Sequence, residues 1–368
     1  MACALFVSNG HGEAAIAARI ARDVHMTAVA SLDHLALVKA GGDDRVLHAV
    51  GPTAKMPSGG LVAMGNVRAF LPDLAAGFVP LFASQLRFLR VQRGYTCVVA
   101  VGDAYALAMA LLTGRPTLFV GTAKSVYVAG YGPFERTLLR RARRIFVRDE
   151  PTAAALRAQG VAAEAPGNVI VDLLDDEGTP PENVAIGVLP GSRESAYRDG
   201  VQLARVIRAI PASALFSLAP GLDTATFARL LAADGWVVTP AAAPTPFRAR
   251  DPRGAQLTGW SGSLGGLIRA SRLILGQAGT ANEAAAAHGV PVVALATSTG
   301  GWYRMRQQRL LGEALVVVPE QPEEAAAAIR ALLGDARRLE RMSEVGRQRM
   351  GEPGGARVIA QAVTEWLS

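Results

Sequence analysis

The sequence predicts an α/β protein made of two doubly wound, parallel-sheet domains of Rossmann-like type in series. Short apolar runs alternate with helical patterns along nearly the whole chain, which is typical of parallel sheets covered by helices on both faces. The chain has 368 residues, more than one core commonly holds. Half of the residues are hydrophobic and 19% are charged, which allows a large core and excludes wholesale disorder.

The first half alternates strands and helices from its first residues. The predicted strands are Leu5–Ser8, Arg45–Val50, Cys97–Val101, Pro116–Val120 and Arg144–Arg148. The predicted helices are Glu13–Asp23, Ala104–Thr113, Phe134–Ala142 and one that Pro151 opens behind an Asp149 cap. This order predicts the first parallel sheet.

An acidic, proline-rich stretch at 175–183 interrupts the pattern and predicts an inter-domain linker. The predicted strands beyond it are Ala185–Leu189, Ala214–Leu218, Trp236–Thr239, Leu273–Gly276, Val290–Ala294 and Ala314–Val318. The predicted helices are Tyr197–Ala209, Asp223–Asp234, Gly262–Ala270, Thr280–His288, Glu323–Leu333, Ala336–Arg349 and Gly355–Trp366. The expected domains are 1–178 and 183–352. We expect them to face a central cleft, with ligands at the carboxyl ends of the strands.

Charge and cysteine content narrow the classes of partner. The formal net charge is +7, which suits nucleotide phosphates or an acidic lipid surface. No zinc-finger spacing or RNA-binding aromatic pattern occurs, so we expect no nucleic-acid partner. Cys3 and Cys97 lie inside apolar runs and predict reduced core residues, with no metal site.

The first residues predict a strand rather than a signal peptide, and no charge-free apolar stretch reaches about 18 residues. The expected location is cytoplasmic.

The strongest site signal follows the strand that ends at Gly276. The loop Gln277-Ala278-Gly279 opens a helix at Thr280. Gly279 would let a phosphate approach the backbone, and the first N–H groups of the helix favour an anion. Thr280 would cap the helix or donate to a phosphate, and the Glu283 carboxylate would accept from ribose hydroxyls. The alternative is an ordinary turn in which Glu283 only stabilises the helix N-terminus.

A second loop of this kind follows the first strand of the second half. Gly191 permits a tight turn, Ser192 offers a hydroxyl, and the Arg193 guanidinium can hold a diphosphate with two hydrogen bonds. The alternative is a turn with a surface arginine. Together the two loops predict a nucleotide site.

The first half carries its own candidates after a strand. Asn9-Gly10-His11-Gly12-Glu13 exposes backbone on both sides of an imidazole. The side chain of His11 or Glu13 would act as a base or bind acceptor hydroxyls, and Asn9 would contact the acceptor. The alternative is a glycine-rich turn in which Glu13 stabilises the helix start.

Two further strand ends carry a charged side chain. Asp103 would be a general base that deprotonates an acceptor hydroxyl, or else the N-cap of the helix at Ala104. Lys124 would bind a phosphate on the acceptor, or else be a surface lysine. Nothing resembles a Walker loop, a nucleophile elbow or clustered metal ligands.

These motifs together resemble the lipid-A-disaccharide synthase family, specifically its synthase-related members. The resemblance is carried by the segments Ser8–Glu13, Val120–Ser125, Pro190–Arg193 and Gly279–Glu283. The Gly-Thr-x-x-Glu pattern is also similar to the peptidoglycan UDP-N-acetylglucosamine transferase and other GT-B enzymes. The synthase's own Gly-Glu-x-Ser-Gly-Asp loop is absent. Of its Gly-x-Asp-x-Pro-Asp-Phe motif, only Gly102-Asp103 remains.

The resemblance implies a GT-B fold in which the final helix, 355–368, packs back on the first domain. It implies inverting, metal-independent transfer of a glucosamine-type sugar from UDP to a lipid-like acceptor, without a cofactor. Arg193 would then hold the diphosphate and Glu283 the ribose, with Glu13 and Asp103 on the acceptor side. Lipid biosynthesis for the cell envelope would be the setting.

Two segments combine apolar residues with arginines, 70–93 and 134–144. They predict either contact with the inner face of an anionic membrane or amphipathic core helices with a solvated basic end. Two other functions stay open: a sugar-nucleotide 2-epimerase of the same architecture, and a nucleotide-sugar-binding protein whose acceptor site has decayed.

Overall fold

The computed structural model describes residues 2–38, 46–54, 56, 74–174, 182–192, 194–210, 212–296 and 301–368. The chain forms two compact units. The first contains Met1–Leu173 and Pro353–Ser368, and the second contains Leu174–Glu352. Most of the predicted linker, residues 175–181, lies outside the described residues.

The first unit contains a six-stranded parallel sheet in the order β3-β2-β1-β4-β5-β6. Its strands are β1 (Cys3–Ser8), β2 (Ser31–Ala36), β3 (His48–Ala49), β4 (Cys97–Gly102), β5 (Thr117–Gly121) and β6 (Arg144–Val147). Its helices are α1 (His11–Thr27), α2 (Phe78–Val91), α3 (Ala104–Leu111), α4 (Pro133–Leu139) and α5 (Glu150–Arg157). Strands β4 and β5 are buried at every residue, as expected for the centre of a covered parallel sheet.

The final helix, α13 (Gly355–Leu367), belongs to the first unit and packs on α1. The Asp172 carboxylate accepts hydrogen bonds from the backbone N–H groups of Gly354 and Ala356, at 2.6 and 2.8 Å. Because these groups belong to the first turn of α13, Asp172 anchors the start of the helix.

The second unit contains an eight-stranded sheet in the order β14-β13-β12-β7-β8-β11-β10-β9. Its strands are β7 (Val184–Leu189), β8 (Ser213–Ser217), β9 (Val237–Pro240), β10 (Phe247–Arg250), β11 (Gln256–Trp260), β12 (Ser271–Gly276), β13 (Val292–Leu295) and β14 (Leu315–Val318). Its helices are α6 (Ser195–Arg208), α7 (Thr224–Ala233), α8 (Leu264–Ala270), α9 (Thr280–Ala287), α10 (Gly301–Leu311), α11 (Pro322–Gly334) and α12 (Ala336–Met350).

The structure corrects several predicted elements. The strand predicted at Arg45–Val50 is only His48–Ala49, and Arg45 lies outside the described residues. Strands β2, β10 and β11 and helix α10 were not predicted. The second sheet is parallel except at one edge, where β10 runs antiparallel to both β9 and β11. A turn at 251–255 returns β11 directly beside β10, without the crossover helix that parallel pairing needs.

Candidate functional site

The two loops predicted to bind a nucleotide follow neighbouring strands of the second unit. Gly276, the last residue of β12, is the register partner of Leu189, the last residue of β7. The backbone N–H of Gln277 donates to the Leu189 carbonyl at 2.9 Å. Strand β7 has β8 on its other side, so the sheet reverses its order here. Such a reversal is where open α/β sheets bind ligands.

The loop after β7 turns at Gly191, which has a φ of 115°. Only glycine adopts that conformation without strain. Apart from the chain neighbours of Gly191, no atom of the described residues lies within 4 Å of the position that a Cβ would occupy, so these residues leave the backbone open on that side. Ser192 is exposed and available to a ligand, whereas Arg193 lies outside the described residues.

Helix α9 begins at Thr280 with Gly279 as its N-cap, and no side chain caps it. The interpretation that Thr280 caps this helix is therefore wrong. The Thr280 side chain is exposed, and Glu283 is half-buried in the first turn. Without a side-chain cap, the first N–H groups of the helix are left to bind an anion.

Gly279 makes a close approach that the sequence did not reveal. The Tyr303 hydroxyl, from α10, lies where a Cβ on residue 279 would stand. The space predicted for a phosphate is therefore shared with a tyrosine hydroxyl, itself a hydrogen-bond donor. Tyr303 is 47% exposed, so its side chain lies at the surface of this loop.

A buried arginine on α10 contacts the same loop. Arg304 is 8% exposed and donates to the side-chain oxygens of Gln277 and Gln307, the latter at 2.6 Å. Within the described residues, no carboxylate lies within 4 Å of its guanidinium. Burial lowers the pKa of Arg304, and the charge of Asp199 opposes that effect. A desolvated cation therefore lies directly behind the β12–α9 loop.

The buried side-chain amides of Gln307 and Asn282 also contact the β12–α9 loop. Gln307 donates to the carbonyls of Ala278 and Gly279, at 3.3 and 3.0 Å. Asn282 donates to the Gly276 carbonyl at 3.0 Å and to the Gln307 side chain at 3.4 Å. The two side chains therefore hold three carbonyls at the end of β12 and in the loop, and a fixed loop presents its N–H groups in a fixed direction.

The first unit also brings predicted residues together at a reversal of strand order, between β1 and β4. Asn9 is buried after β1, and its side-chain amide donates to the Asp103 carboxylate after β4 at 3.1 Å. The Cγ of Glu13 lies 3.0 Å from where a Cβ on Gly102 would stand. Three predicted residues thus share one end of the sheet, while the side chain of His11 lies outside the described part.

Asp103 is the N-cap of α3, since its Oδ1 accepts from the Ala106 backbone N–H at 3.0 Å. Its Oδ2 accepts from Asn9. Burial raises the pKa of Asp103, and the hydrogen bonds from Ala106 and Asn9 oppose that shift. A carboxylate with a raised pKa is a stronger base than an exposed one.

Lys124 forms a salt bridge with Glu135 at 2.6 Å and lies 5.7 Å from the ring centre of Tyr131. Its side chain is only partly exposed. A lysine at the surface that already has a carboxylate partner fits either alternative, so its binding to an acceptor phosphate stays a prediction.

Sequence reasoning missed two tyrosines near Asp103. The hydroxyls of Tyr105 and Tyr131 are buried and have no hydrogen-bond partner among the described residues. Burial raises the pKa of both phenols, and the Asp103 charge adds to this effect. Both hydroxyls therefore keep their protons near neutral pH. Tyr105 could have been found from its position two residues after Asp103.

In the described part of the chain, no three His, Cys, Asp or Glu side chains are grouped closely enough to hold a metal ion. No described helix is both long and apolar enough to cross a bilayer.

No protein-family model matches the chain, and no curated protein matches it either. Solved structures do match over the whole length. A Phytolacca americana UGT2, complexed with UDP-2-fluoro-glucose and pterostilbene, has a TM-score of 0.61 at 13% identity, covering 100% of this chain and 99% of its own. Acinetobacter baumannii MurG has a TM-score of 0.57 at 13% identity, covering 99% and 100%. UDP-GlcNAc 2-epimerase from Neisseria meningitidis, bound to UDP-GlcNAc, has a TM-score of 0.54 at 13% identity, covering 99% and 100%.

These proteins share one architecture, with two Rossmann-like domains. At 13% identity the likeness establishes the fold and not the activity. The predicted fold class is confirmed: the chain has the GT-B fold.

Proposed function

We propose that the protein binds a UDP-sugar at the β7 and β12 strand ends and transfers the sugar to a lipid-like acceptor. One observation carries the proposal: two loops lie at adjacent strand ends, one with open backbone at Gly191 and the other at the uncapped start of α9. The matched structures with UDP-2-fluoro-glucose and with UDP-GlcNAc support the class of ligand.

Each residue predicted for the nucleotide site has a role in the proposed binding of the donor. The N–H groups at the start of α9 and the Arg193 guanidinium bind the diphosphate, and Gly191 lets it approach the backbone. Ser192, Gln277 and Thr280 supply polar groups beside it. Glu283 accepts from the ribose hydroxyls. These contacts stabilise the negative charge that develops on UDP as the sugar leaves.

On the acceptor side we assign the general base to Asp103, with Glu13 and His11 as its alternatives. The base removes the proton of an acceptor hydroxyl while that oxygen attacks the anomeric carbon. UDP leaves from the opposite face, so a single displacement inverts the carbon and needs no metal. Asn9 orients the carboxylate, and Lys124 binds a phosphate on the acceptor.

Exposed apolar side chains of the first unit support a lipid-like acceptor, as in the lipid-A-disaccharide synthase family. Val79 and Val91 of α2 are 59% and 67% exposed, and Phe134 of α4 is 62% exposed. Arginines follow in both segments, which suits peripheral contact with an anionic membrane. Arg136, however, already donates to the Tyr131 carbonyl at 2.7 Å.

A sugar-nucleotide 2-epimerase is the second candidate, because enzymes of that activity match the whole chain as well as transferases do. A binding protein with a decayed acceptor site is the third. Both carboxylate oxygens of Asp103 already accept hydrogen bonds, which favours a binding protein without a catalytic base.

The first experiment measures UDP binding by calorimetry. We expect Arg193→Ala and Glu283→Ala to weaken binding at least about tenfold, the effect of one or two charge-assisted contacts. Glu324→Ala is the matched control, because Glu324 also lies in the first turn of a helix, α11. Absence of UDP binding by the folded protein would contradict the proposed donor site.

The second experiment separates the candidates. A transferase releases UDP only when an acceptor is present, whereas an epimerase interconverts the two C2 epimers of the UDP-sugar without one. Asp103→Asn keeps the helix cap and removes the base, so transfer should fall while UDP binding stays. Unchanged turnover in Asp103→Asn, with a verified acceptor, would remove Asp103 from the mechanism.

A further inference from the structure

A surface pocket of about 690 Å³ lies in the second unit, between α10, β14 and α12. Its volume is in the range of small-molecule sites. None of the loop residues 190–192 or 276–280 lines it. The pocket is therefore distinct from the proposed donor site.

Four arginines surround the pocket: Arg309, Arg338, Arg341 and Arg349. Glu313 is the one acidic residue among its described lining. Within the described residues, no carboxylate lies within ion-pair distance of Arg309, Arg338 or Arg341. The pocket therefore carries an excess of positive charge, and guanidinium groups match a phosphate in geometry as well as in charge.

The floor of the pocket is aliphatic. Leu315 and Met342 are buried, Val316 and Val317 are half-buried, and Met305 is 53% exposed at the rim. None of the described lining residues is aromatic, so no ring is present to stack on a base. Aliphatic and thioether side chains suit a flexible hydrocarbon chain instead.

The two faces of α10 have different contacts. Arg304 and Gln307 face the β12–α9 loop, whereas Met305, Gln308 and Arg309 line the pocket. The exposed polar face of α10 is thus one wall of the pocket, which explains why the helix has no simple amphipathic pattern.

We propose that this pocket binds an anionic amphiphile, an aliphatic chain that carries a phosphate group. The chain lies on the floor formed by Leu315, Val316 and Met342. The phosphate lies among the guanidinium groups of Arg309, Arg338 and Arg341. This binding does not require the proposed transferase activity.

The test is calorimetric titration of the full chain with dihexanoyl phosphatidic acid, which is soluble as a monomer. Dihexanoyl phosphatidylcholine has the same chains without net charge, and inorganic phosphate has the charge without chains. We expect saturable binding of the phosphatidic acid and much weaker binding of the other two. Equal binding of phosphatidylcholine, or no binding of the phosphatidic acid, overturns the proposal.

Paired variants locate the site. Arg338→Gln/Arg341→Gln should weaken binding at least about tenfold, because two charge-assisted contacts are lost. Arg253→Gln/Arg337→Gln is the matched control, since it removes the same charge from exposed residues that do not line the pocket. Equal weakening in both pairs would show diffuse attraction and overturn the proposal. Circular dichroism checks that both pairs are folded.

Vesicles distinguish the source of the ligand. If vesicles of phosphatidic acid and phosphatidylcholine sediment the protein, and Arg338→Gln/Arg341→Gln abolishes this, the amphiphile is a membrane lipid. If only the monomeric lipid binds, the amphiphile is a soluble molecule. Either result agrees with binding of the amphiphile in the pocket. The UDP titration with native protein tests the donor site independently.

Discussion

Replacing Arg304 by methionine tests whether a buried cation supports the nucleotide loop. The change removes the donor to the Gln277 side-chain oxygen, while the Gln307 oxygen keeps Asn282 as a donor at 3.4 Å. A fully buried acceptor without a partner costs about 1–3 kcal/mol, and Gln277 is only half-buried. Part of this is recovered, because burial already disfavours the charged form of Arg304. We expect the free energy of unfolding to fall by about 1–2 kcal/mol.

The UDP affinity of Arg304→Met should fall more than its stability does. The variant loses a positive charge behind the loop together with the contact that orients Gln277. We expect a dissociation constant about tenfold higher, which corresponds to about 1.4 kcal/mol. Urea denaturation and calorimetric titration measure the two effects, with Arg309→Met as a control on the opposite face of α10.

Two results would refute this reasoning. A loss of more than about 4 kcal/mol in stability would mean that an unpaired buried carboxylate had been left behind. Unchanged UDP affinity in a folded variant would mean that Arg304 supports neither the loop nor the ligand.

Three further predictions concern stability. Burial raises the pKa of Asp103 above 3.8, so the free energy of unfolding should fall as pH rises from about 4 through the raised pKa. Asp103→Asn keeps the helix cap and should remove this pH dependence, measured by urea unfolding. An identical slope in both proteins would contradict it. Gly276→Ala places a methyl group against the buried Asn282 side-chain oxygen and should cost about 1–3 kcal/mol by thermal melting. A neutral result would mean that Asn282 moves freely. Asp172→Ala removes the acceptor of two N–H groups at the start of α13 and should cost about 1–2 kcal/mol and speed proteolysis there, whereas Asp172→Asn should cost less. Unaltered proteolysis would argue against this anchor.

The central strands were predictable because a strand buried on both faces appears in the sequence as a continuous apolar run. Cys97–Gly102 and Thr117–Gly121 are apolar runs whose residues are all buried. Strand β2 was missed because it contains Asp33 and His34. Their partners come from elsewhere in the chain: the Tyr95 hydroxyl donates to Asp33 at 2.7 Å, and the His34 ring contacts the Ser8 hydroxyl at 2.8 Å.

In the candidate site, too, only some features were predictable from local sequence. The glycine turn at Gly191 and the helix start at Thr280 were predictable, because glycine after a strand has a local conformational meaning. The Arg304–Gln307 contact was not. These polar residues are buried on α10 because loop carbonyls accept their hydrogen bonds, and no apolar periodicity marks such a helix.

The sequence by itself determined the alternation of strands and helices, the α/β class and the strand ends that carry reactive side chains. All of these follow from patterns within about ten to twenty residues. Only the tertiary structure decided that β7 lies beside β12 and β1 beside β4, and therefore that Leu189 meets Gly276 and Asn9 meets Asp103. The order of strands in a parallel sheet depends on crossover connections and on the pairing of residues far apart in the chain, which no local pattern records.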